Sequence, residues 1–201
     1  MDGWSCRTKL IAMVTVATTA TIVSICRALM LISSKSKERS NRIAADVVRI
    51  RKGKKCDLGQ ISKLIRDLAK YEHSLDSVLT TRESLMRDFS NFRTAVAATN
   101  EGRIVAFAFY SFGYSTWVGK TVALDDLYVD KEYRQRGIGH KLLQTVAADG
   151  LEEGAARMEW LSFKWNERAN SFYRARSAVV QDKLYYWRLD QGSMSGLIST
   201  I

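Results

Sequence analysis

Apolar residues recur along this chain with two periods, and each period predicts its own kind of element. Ile61, Leu64, Ile65 and Leu68 fall at i, i+3, i+4 and i+7, the spacing of a helix with one buried face. Asp57-x-x-Gln60 has the form of a capping box, so the helix starts there and ends near Tyr71-Glu72-His73. Thr80-x-x-Glu83 predicts a second, short helix reaching Phe89. Val47, Val48 and Ile50 within 45–52 predict a first strand, where the folded domain begins. Residues 92–99 and 103–112 predict two strands joined by Asn100-Glu101-Gly102, a hairpin turn signal. A strand over 120–129 follows, then a helix over 137–150, a strand over 156–162, a helix over 167–176 and a last strand over 184–189. The order β-α-α-β-β-β-α-β-α-β predicts an α/β (α+β) fold, a mixed and mostly antiparallel sheet flanked by helices.

Ahead of this pattern lies a different one. Leu10 to Cys26 is an uncharged run between Lys9 and Arg27, and Ala28-Leu29-Met30-Leu31-Ile32 continues it. With Arg27 snorkelling toward the interface, the run approaches the roughly 20 residues that span a bilayer. A single membrane anchor is the favoured reading. A mitochondrial targeting segment is the alternative, because the stretch is poor in acidic residues and carries Ser, Thr and Arg. Residues 1–33 therefore form a hydrophobic N-terminal segment, 34–44 a basic linker, 45–192 the domain and 193–201 a tail. The C-terminal flank of the run is the more basic, which would place the domain in the cytoplasm.

Charge sharpens this division. The chain has 201 residues and a net charge of +10. Between Arg27 and Lys55, ten Lys and Arg stand against Glu38 and Asp46, whereas residues 56–201 balance to within one charge. The basicity belongs to one tract, so nucleic acid is not an expected partner. Cys6, Cys26 and Cys56 are odd in number and widely spaced, and His73 and His140 are isolated. Neither a disulfide framework nor a metal site follows.

The candidate chemistry gathers around Val129-Asp130-Lys131-Glu132-Tyr133-Arg134-Gln135-Arg136-Gly137-Ile138-Gly139-His140-Lys141. This reads as a strand end, a glycine-bearing basic loop and a helix start. Gly137 and Gly139 let backbone N–H groups approach an anion, and the helix adds its positive dipole end. Arg134, Arg136 and Lys141 add charge, and an arginine fork suits phosphate oxygens. The pattern is that of a pyrophosphate cradle. The dinucleotide pattern needs a third glycine and a later acidic residue, and a Walker loop needs Gly-Lys-Ser/Thr. Asp125-Asp126 lies on the strand leading into this loop. Strand alternation sends two adjacent side chains to opposite faces, so at most one enters a given cleft.

Arg134-x-x-Gly137-x-Gly139 after Leu127-Tyr128-Val129 resembles the acetyl-coenzyme A loop of the GNAT superfamily of N-acetyltransferases. Trp165-Asn166-Glu167-Arg168-Ala169-Asn170-Ser171-Phe172-Tyr173 is similar to that family's second cofactor segment. Leu64 to Glu72, Phe112 to Lys120 and Leu124 to Val129 resemble the diamine (spermidine/spermine) N-acetyltransferase group. The resemblance covers about residues 46–190. It implies that Leu127, Tyr128 and Val129 hold the pantetheine arm through their backbone. Arg134, Gln135, Arg136, Gly137, Ile138, Gly139 and His140 would hold the pyrophosphate, and Asn166, Glu167, Arg168 and Ala169 would line the cofactor further along. Tyr71, Glu72 and Asp125 would contact a polyamine, with Trp117, Glu159, Trp160 and Leu161 bordering it. Asp125 would accept the ammonium proton and Tyr173 would protonate the thiolate, in a direct transfer without a metal. A homodimer is implied as well.

Some positions depart from that group. Asp125 stands in place of a usual Glu, and Ser115 in place of an acidic residue. The Ser-Thr-Trp form resembles the branch that acetylates thialysine and related lysine-like amines. Polyamine acetylation is therefore the main expectation, with a lysine-like or protein amine as the alternative. An inactive, membrane-tethered scaffold is the rival from another class.

Overall fold

The computed structural model describes residues 24, 25, 27–34, 36, 37 and 46–199. Positions 24–37 are helical where described. No described helix is long and apolar enough to cross a membrane. Most of the predicted anchor, residues 10–32, lies outside the described residues, as does most of the 34–44 linker.

The chain divides into two compact units, 1–160 and 161–201. In the first, strand β1 (Val48–Lys52) leads through a 3-10 turn into helix α1 (Leu58–Tyr71), and helix α2 (Arg82–Arg87) follows. Strands β2 (Arg93–Thr99), β3 (Ile104–Ser115) and β4 (Gly119–Val129) come next, then helix α3 (Ile138–Glu152) and strand β5 (Arg157–Trp160). The sheet runs β1-β2-β3-β4-β5 in sequence order. Its first three pairings are antiparallel, while β4 and β5 are parallel. The expected mixed, mostly antiparallel sheet is what forms.

Register decides what each face carries. Val96 pairs with Phe107, and Phe107 with Tyr128, so these side chains share one face. Leu58, Ile61 and Leu64 of α1 and Leu85 of α2 pack there against Val96, Ala98, Ile104 and Phe107. The helical spacing read from the sequence thus buries the face it foretells.

The α3 layer is held by a polar cluster as well as by Leu142, Leu143 and Val146. The Asp149 side chain is only 1% exposed. It accepts hydrogen bonds from Lys52 of β1, from Arg93 Nη1 of β2 at 2.8 Å and from Tyr110 Oη of β3 at 3.0 Å. Burial alone would raise its pKa, but these three donors hold it below the ordinary aspartate value. Gly150 is next to it. A Cβ at this position would lie 2.7 Å from Val122 Cγ2, so α3 sits on β4 at a distance only glycine permits.

The helix signals need local corrections. Asp57 does not cap α1; its carboxylate accepts from Arg51 at 2.6 and 2.9 Å and from the Lys54 N–H at 2.7 Å. Gln60 instead accepts from the Ile104 N–H at 2.9 Å and donates to the Gly102 carbonyl at 3.2 Å. Helix α2 is capped by Thr81 and Ser84, which bond each other's backbone N–H groups, rather than by the Thr80/Glu83 pair. It stops at Arg87, and a 3-10 turn covers Phe89–Asn91.

In the second unit, helix α4 (Glu167–Arg174) starts at Asn166, whose Oδ1 accepts from the Ala169 N–H at 3.2 Å. The strand expected over 184–189 does not form. That stretch is irregular and its apolar side chains are exposed, and a helix, α5 (Gln191–Ser199), follows where only a tail was expected. Alternation makes a strand only where a neighbouring edge supplies hydrogen bonds.

Candidate active site

Strands β4 and β5 share a ladder only from Thr121 to Leu124, opposite Arg157 to Trp160. Beyond Leu124, β4 runs on to Val129 without β5 beside it. Leu127, Tyr128 and Val129 therefore lie on a strand with one side unpaired by β5, as a backbone-held arm would need. The Val129 carbonyl already accepts from Arg134 Nε at 2.8 Å.

A bulge marks the parting. Phe109 pairs with Asp126 and Tyr110 with Leu124, which leaves Asp125 as the extra residue of β4. The strict alternation expected for Asp125-Asp126 fails here, because a bulge lets neighbouring side chains share a side. Asp126, paired with Phe109, stands on the face packed by α1. Glu72 is the C-cap of that helix. The Asp126 carboxyl is pushed up to about 6, first by burial and then by the negative charges of Asp125 and Glu72. Burial also raises Asp125 and Glu72. Asp125 is nonetheless exposed as a residue; solvent reaches part of it while protein atoms crowd its carboxyl. The most perturbed acid is thus Asp126, the residue that sequence reasoning passed over in favour of Asp125. Their adjacency was the signal, but a bulge cannot be read from adjacency.

The arginines of the basic loop make local contacts. Arg134 lies close to two aromatic rings. Its guanidinium carbon lies 5.2 Å from the Tyr71 ring centroid and 5.5 Å from that of Tyr128. Arg136 donates to the Asp46 carbonyl at 2.6 Å and stacks over Tyr133, with 5.4 Å to the centroid. Arg103 approaches the same ring at 5.6 Å. Tyr133 is buried and donates to Asp46 Oδ2 at 2.8 Å; burial, then that bond, push its hydroxyl up to about 12. The two arginines pin the loop to its surroundings. The backbone of the same loop is a further candidate for the anion-facing duty.

That backbone suits the duty. Gln135 at φ 63° and Gly137 at φ 73° are both left-handed and bracket Arg136. Such turns can aim successive N–H groups into one concavity. Gly137 is the N-cap of the 15-residue α3 and offers no side-chain cap, so the first N–H groups of α3, from Ile138, Gly139 and His140 onward, lie at a positive dipole end. Lys141 is exposed in the first turn. These features fit a pyrophosphate.

The remaining expected residues divide by unit. Glu159 and Trp160 are on β5, and Glu159 accepts from Arg157 Nε at 2.9 Å. Trp117 lies in the β3–β4 turn, 91% exposed, with its N–H bonded to Ser115 Oγ at 3.2 Å. Leu161, Asn166, Glu167, Arg168, Ala169 and Tyr173 belong to the second unit. Glu167 accepts from Ser171 and Arg174, each at 2.8 Å. Tyr173 is half-buried on α4, with its ring edge-on to Phe172 at 5.3 Å. Among the described residues no group of three or more His, Cys, Asp or Glu is placed to hold a metal ion.

Comparison with known proteins supplies the family. The chain is 37% identical over 142 residues to the thialysine N-epsilon-acetyltransferase of Bos taurus, covering 65% of this chain and 84% of that one. It is 31% identical over 154 residues to the spermidine/spermine N(1)-acetyltransferase-like protein 1 of Homo sapiens, covering 72% of this chain and 22% of that one. Among solved structures, an integron cassette protein of V. cholerae superposes with a TM-score of 0.62 at 19% identity, over 75% of this chain and 97% of that one, a likeness of fold. Residues 61–177 match the acetyltransferase (GNAT) family, more than half of the sequence and the stretch that holds both the acidic bulge and the glycine loop, and the chain belongs to that family.

Proposed function

We propose that this acetyltransferase moves an acetyl group from acetyl-coenzyme A to the side-chain amine of a lysine-like small molecule. The observation that carries this reading is the acidic group at the β4 bulge, Glu72, Asp125 and Asp126, with Asp126 titrating near 6. An amine arrives as an ammonium and must lose a proton before its nitrogen can attack a thioester. A carboxylate with a raised pKa is ionised at neutral pH and still basic enough to accept that proton. The nitrogen lone pair forms the N–C bond, the C–S bond breaks, and the thiolate takes a proton. The ammonium proton goes to Asp126, directly or through water, and on to solvent; Tyr173 is the proposed donor to sulfur, and the second proton, shed by the nitrogen once it has attacked, returns through water to restore the Tyr173 hydroxyl. The α3 N-terminus and the Gln135–His140 backbone bind the pyrophosphate of the donor. The reading includes a homodimer, which light scattering would test.

The lysine-like substrate is favoured over a polyamine by Ser115, which removes one acidic contact, and by the greater likeness to thialysine acetyltransferases. Polyamine acetylation stays the second reading, because three neighbouring carboxyls also suit a polycation. The deciding experiment is thiol release by the full chain with acetyl-coenzyme A and thialysine, spermidine or a lysine-containing peptide at matched concentrations. Thialysine is expected to give the highest kcat/KM. Preference for spermidine would establish the second reading, and turnover of the peptide alone would overturn both.

A further inference from the structure

The glycine loop holds a conformation that its own residues do not explain. Gln135 has φ 63°. A side chain disfavours that left-handed backbone, and such strain persists only where the surrounding structure over-determines it. The residues on either side of Gln135 are the ones that are held. Arg134 Nε donates to the Val129 carbonyl at 2.8 Å, a tie close by in the chain. Arg136 Nη2 donates to the Asp46 carbonyl at 2.6 Å, 90 residues away. Asp46 takes a second bond from the same loop, since its Oδ2 accepts from Tyr133 Oη at 2.8 Å. The Tyr133 ring is buried, and the guanidinium carbons of Arg136 and Arg103 stand 5.4 and 5.6 Å from its centroid. Arg103 in turn pairs with Asp130 at 2.8 Å, where the loop begins. Asp46 itself precedes β1, and β2 and β3 separate β1 from β4 in the sheet. Val48 pairs with Thr99, Ala98 with Ile104 and Ala106 with Val129, so the start of β1 and the end of β4 lie at one end of the sheet. Three strand spacings, about 14 Å, still divide them. The long side chains of Tyr133 and Arg136 close that gap. Asp46 lies outside residues 61–177, so the family likeness assigns it nothing.

We propose that Asp46 is a positioning residue for the acetyl donor: through Tyr133 and Arg136 it fixes the left-handed turn whose N–H groups face the pyrophosphate. The inference rests on the reading that the Gln135–His140 backbone binds pyrophosphate. Asp46 acts through the loop and contacts neither substrate. Without its carboxylate the loop relaxes at Gln135, and each donor molecule then has to re-form the turn as it binds. That cost falls on donor affinity. The amine side is spared, because the carboxyls of Glu72, Asp125 and Asp126 are carried by α1 and β4.

The test combines calorimetry of coenzyme A binding to the full chain with steady-state kinetics on two donors, acetyl-coenzyme A and acetyl-pantetheine, which lacks the pyrophosphate. Asp46→Ala is expected to weaken coenzyme A binding about five- to tenfold and to raise the KM for acetyl-coenzyme A by the same factor. The kcat, the KM for the amine and the kcat/KM for acetyl-pantetheine should stay within about twofold of wild type. Tyr133→Phe should reproduce the loss, and Asp46→Ala combined with Tyr133→Phe should be no worse than either alone. Asp46→Asn keeps an oxygen that can accept from Tyr133 and should restore coenzyme A binding. A lower melting temperature with unchanged coenzyme A affinity would overturn the proposal, since Asp46 would then serve folding alone. So would equal losses with the two donors, or additive losses in the double variant. Gly137→Ala separates this inference from the reading beneath it. If that variant weakens coenzyme A binding and Asp46→Ala does not, only the role of Asp46 falls; if neither does, the pyrophosphate reading falls with it.

Discussion

At the scale of single residues, Asp126 carries the strongest chemical statement. Its folded pKa is raised above the unfolded value, so it lowers stability as pH rises from about 4 through about 6 and leaves the penalty in place above that. The Asp126→Asn variant should therefore be more stable above pH 6, by about 1–2 kcal/mol after solvent screening, as thermal melts at pH 5 and pH 8 would show. The same variant should lose about 10²-fold or more in kcat. Wild-type activity should rise through a pKa near 6, and a pH–rate profile would show that limb gone in Asp126→Asn. Gly137 makes a second, separable case. A Cβ there meets nothing within 4 Å, so only its φ of 73° is at stake. Gly137→Ala should cost about 1–2 kcal/mol of stability and raise the KM for acetyl-coenzyme A several-fold, as steady-state kinetics would reveal.

At the scale of elements, α3 has two jobs, and its two ends separate them. Its N-terminus offers N–H groups at the glycine loop, while Asp149 and Gly150 near its C-terminus fix it to the sheet. Asp149→Asn should destabilise the domain by about 3 kcal/mol, since it leaves Lys52, Arg93 and Tyr110 facing a neutral amide. Because the folded pKa of Asp149 is depressed, its contribution is full at neutral pH and is lost as pH falls through that value, below the unfolded 3.8. Denaturant melts at pH 7 and pH 3 should therefore separate wild type from variant more widely at the higher pH. Gly150→Ala tests the close approach to Val122 and should cost about 1–3 kcal/mol in the same melts. The existence and type of these elements were legible from periodicity. The failures are local: Asp57 is drawn to Arg51 instead of its helix, and residues 184–189 stay irregular.

At the scale of the whole molecule, net charge misleads about substrate. The excess of basic residues lies between Arg27 and Lys55, whereas Asp125 and Asp126 of β4 and Glu72 at the end of α1 bring three carboxyls together. Local field governs binding of a cation. The KM of the full chain for a cationic amine should rise several-fold between about 0.05 and 0.5 M salt, measured by thiol release, as the Debye length shortens.

The sequence by itself determined the kinds and order of elements from β1 to α4, the glycine loop and the segregation of charge, because each is written in local spacing or composition. It also carried the family resemblance, since that rests on short runs of neighbouring residues. Tertiary structure decided which groups serve which end. A one-residue offset between β3 and β4 released Asp125 and Asp126 from opposite faces and made Asp126 the perturbed acid. Stacking on Tyr71, Tyr128 and Tyr133 ties Arg134 and Arg136 to residues that lie outside the loop's own motif. Register and ring contacts join residues far apart in the chain, and no local pattern encodes them.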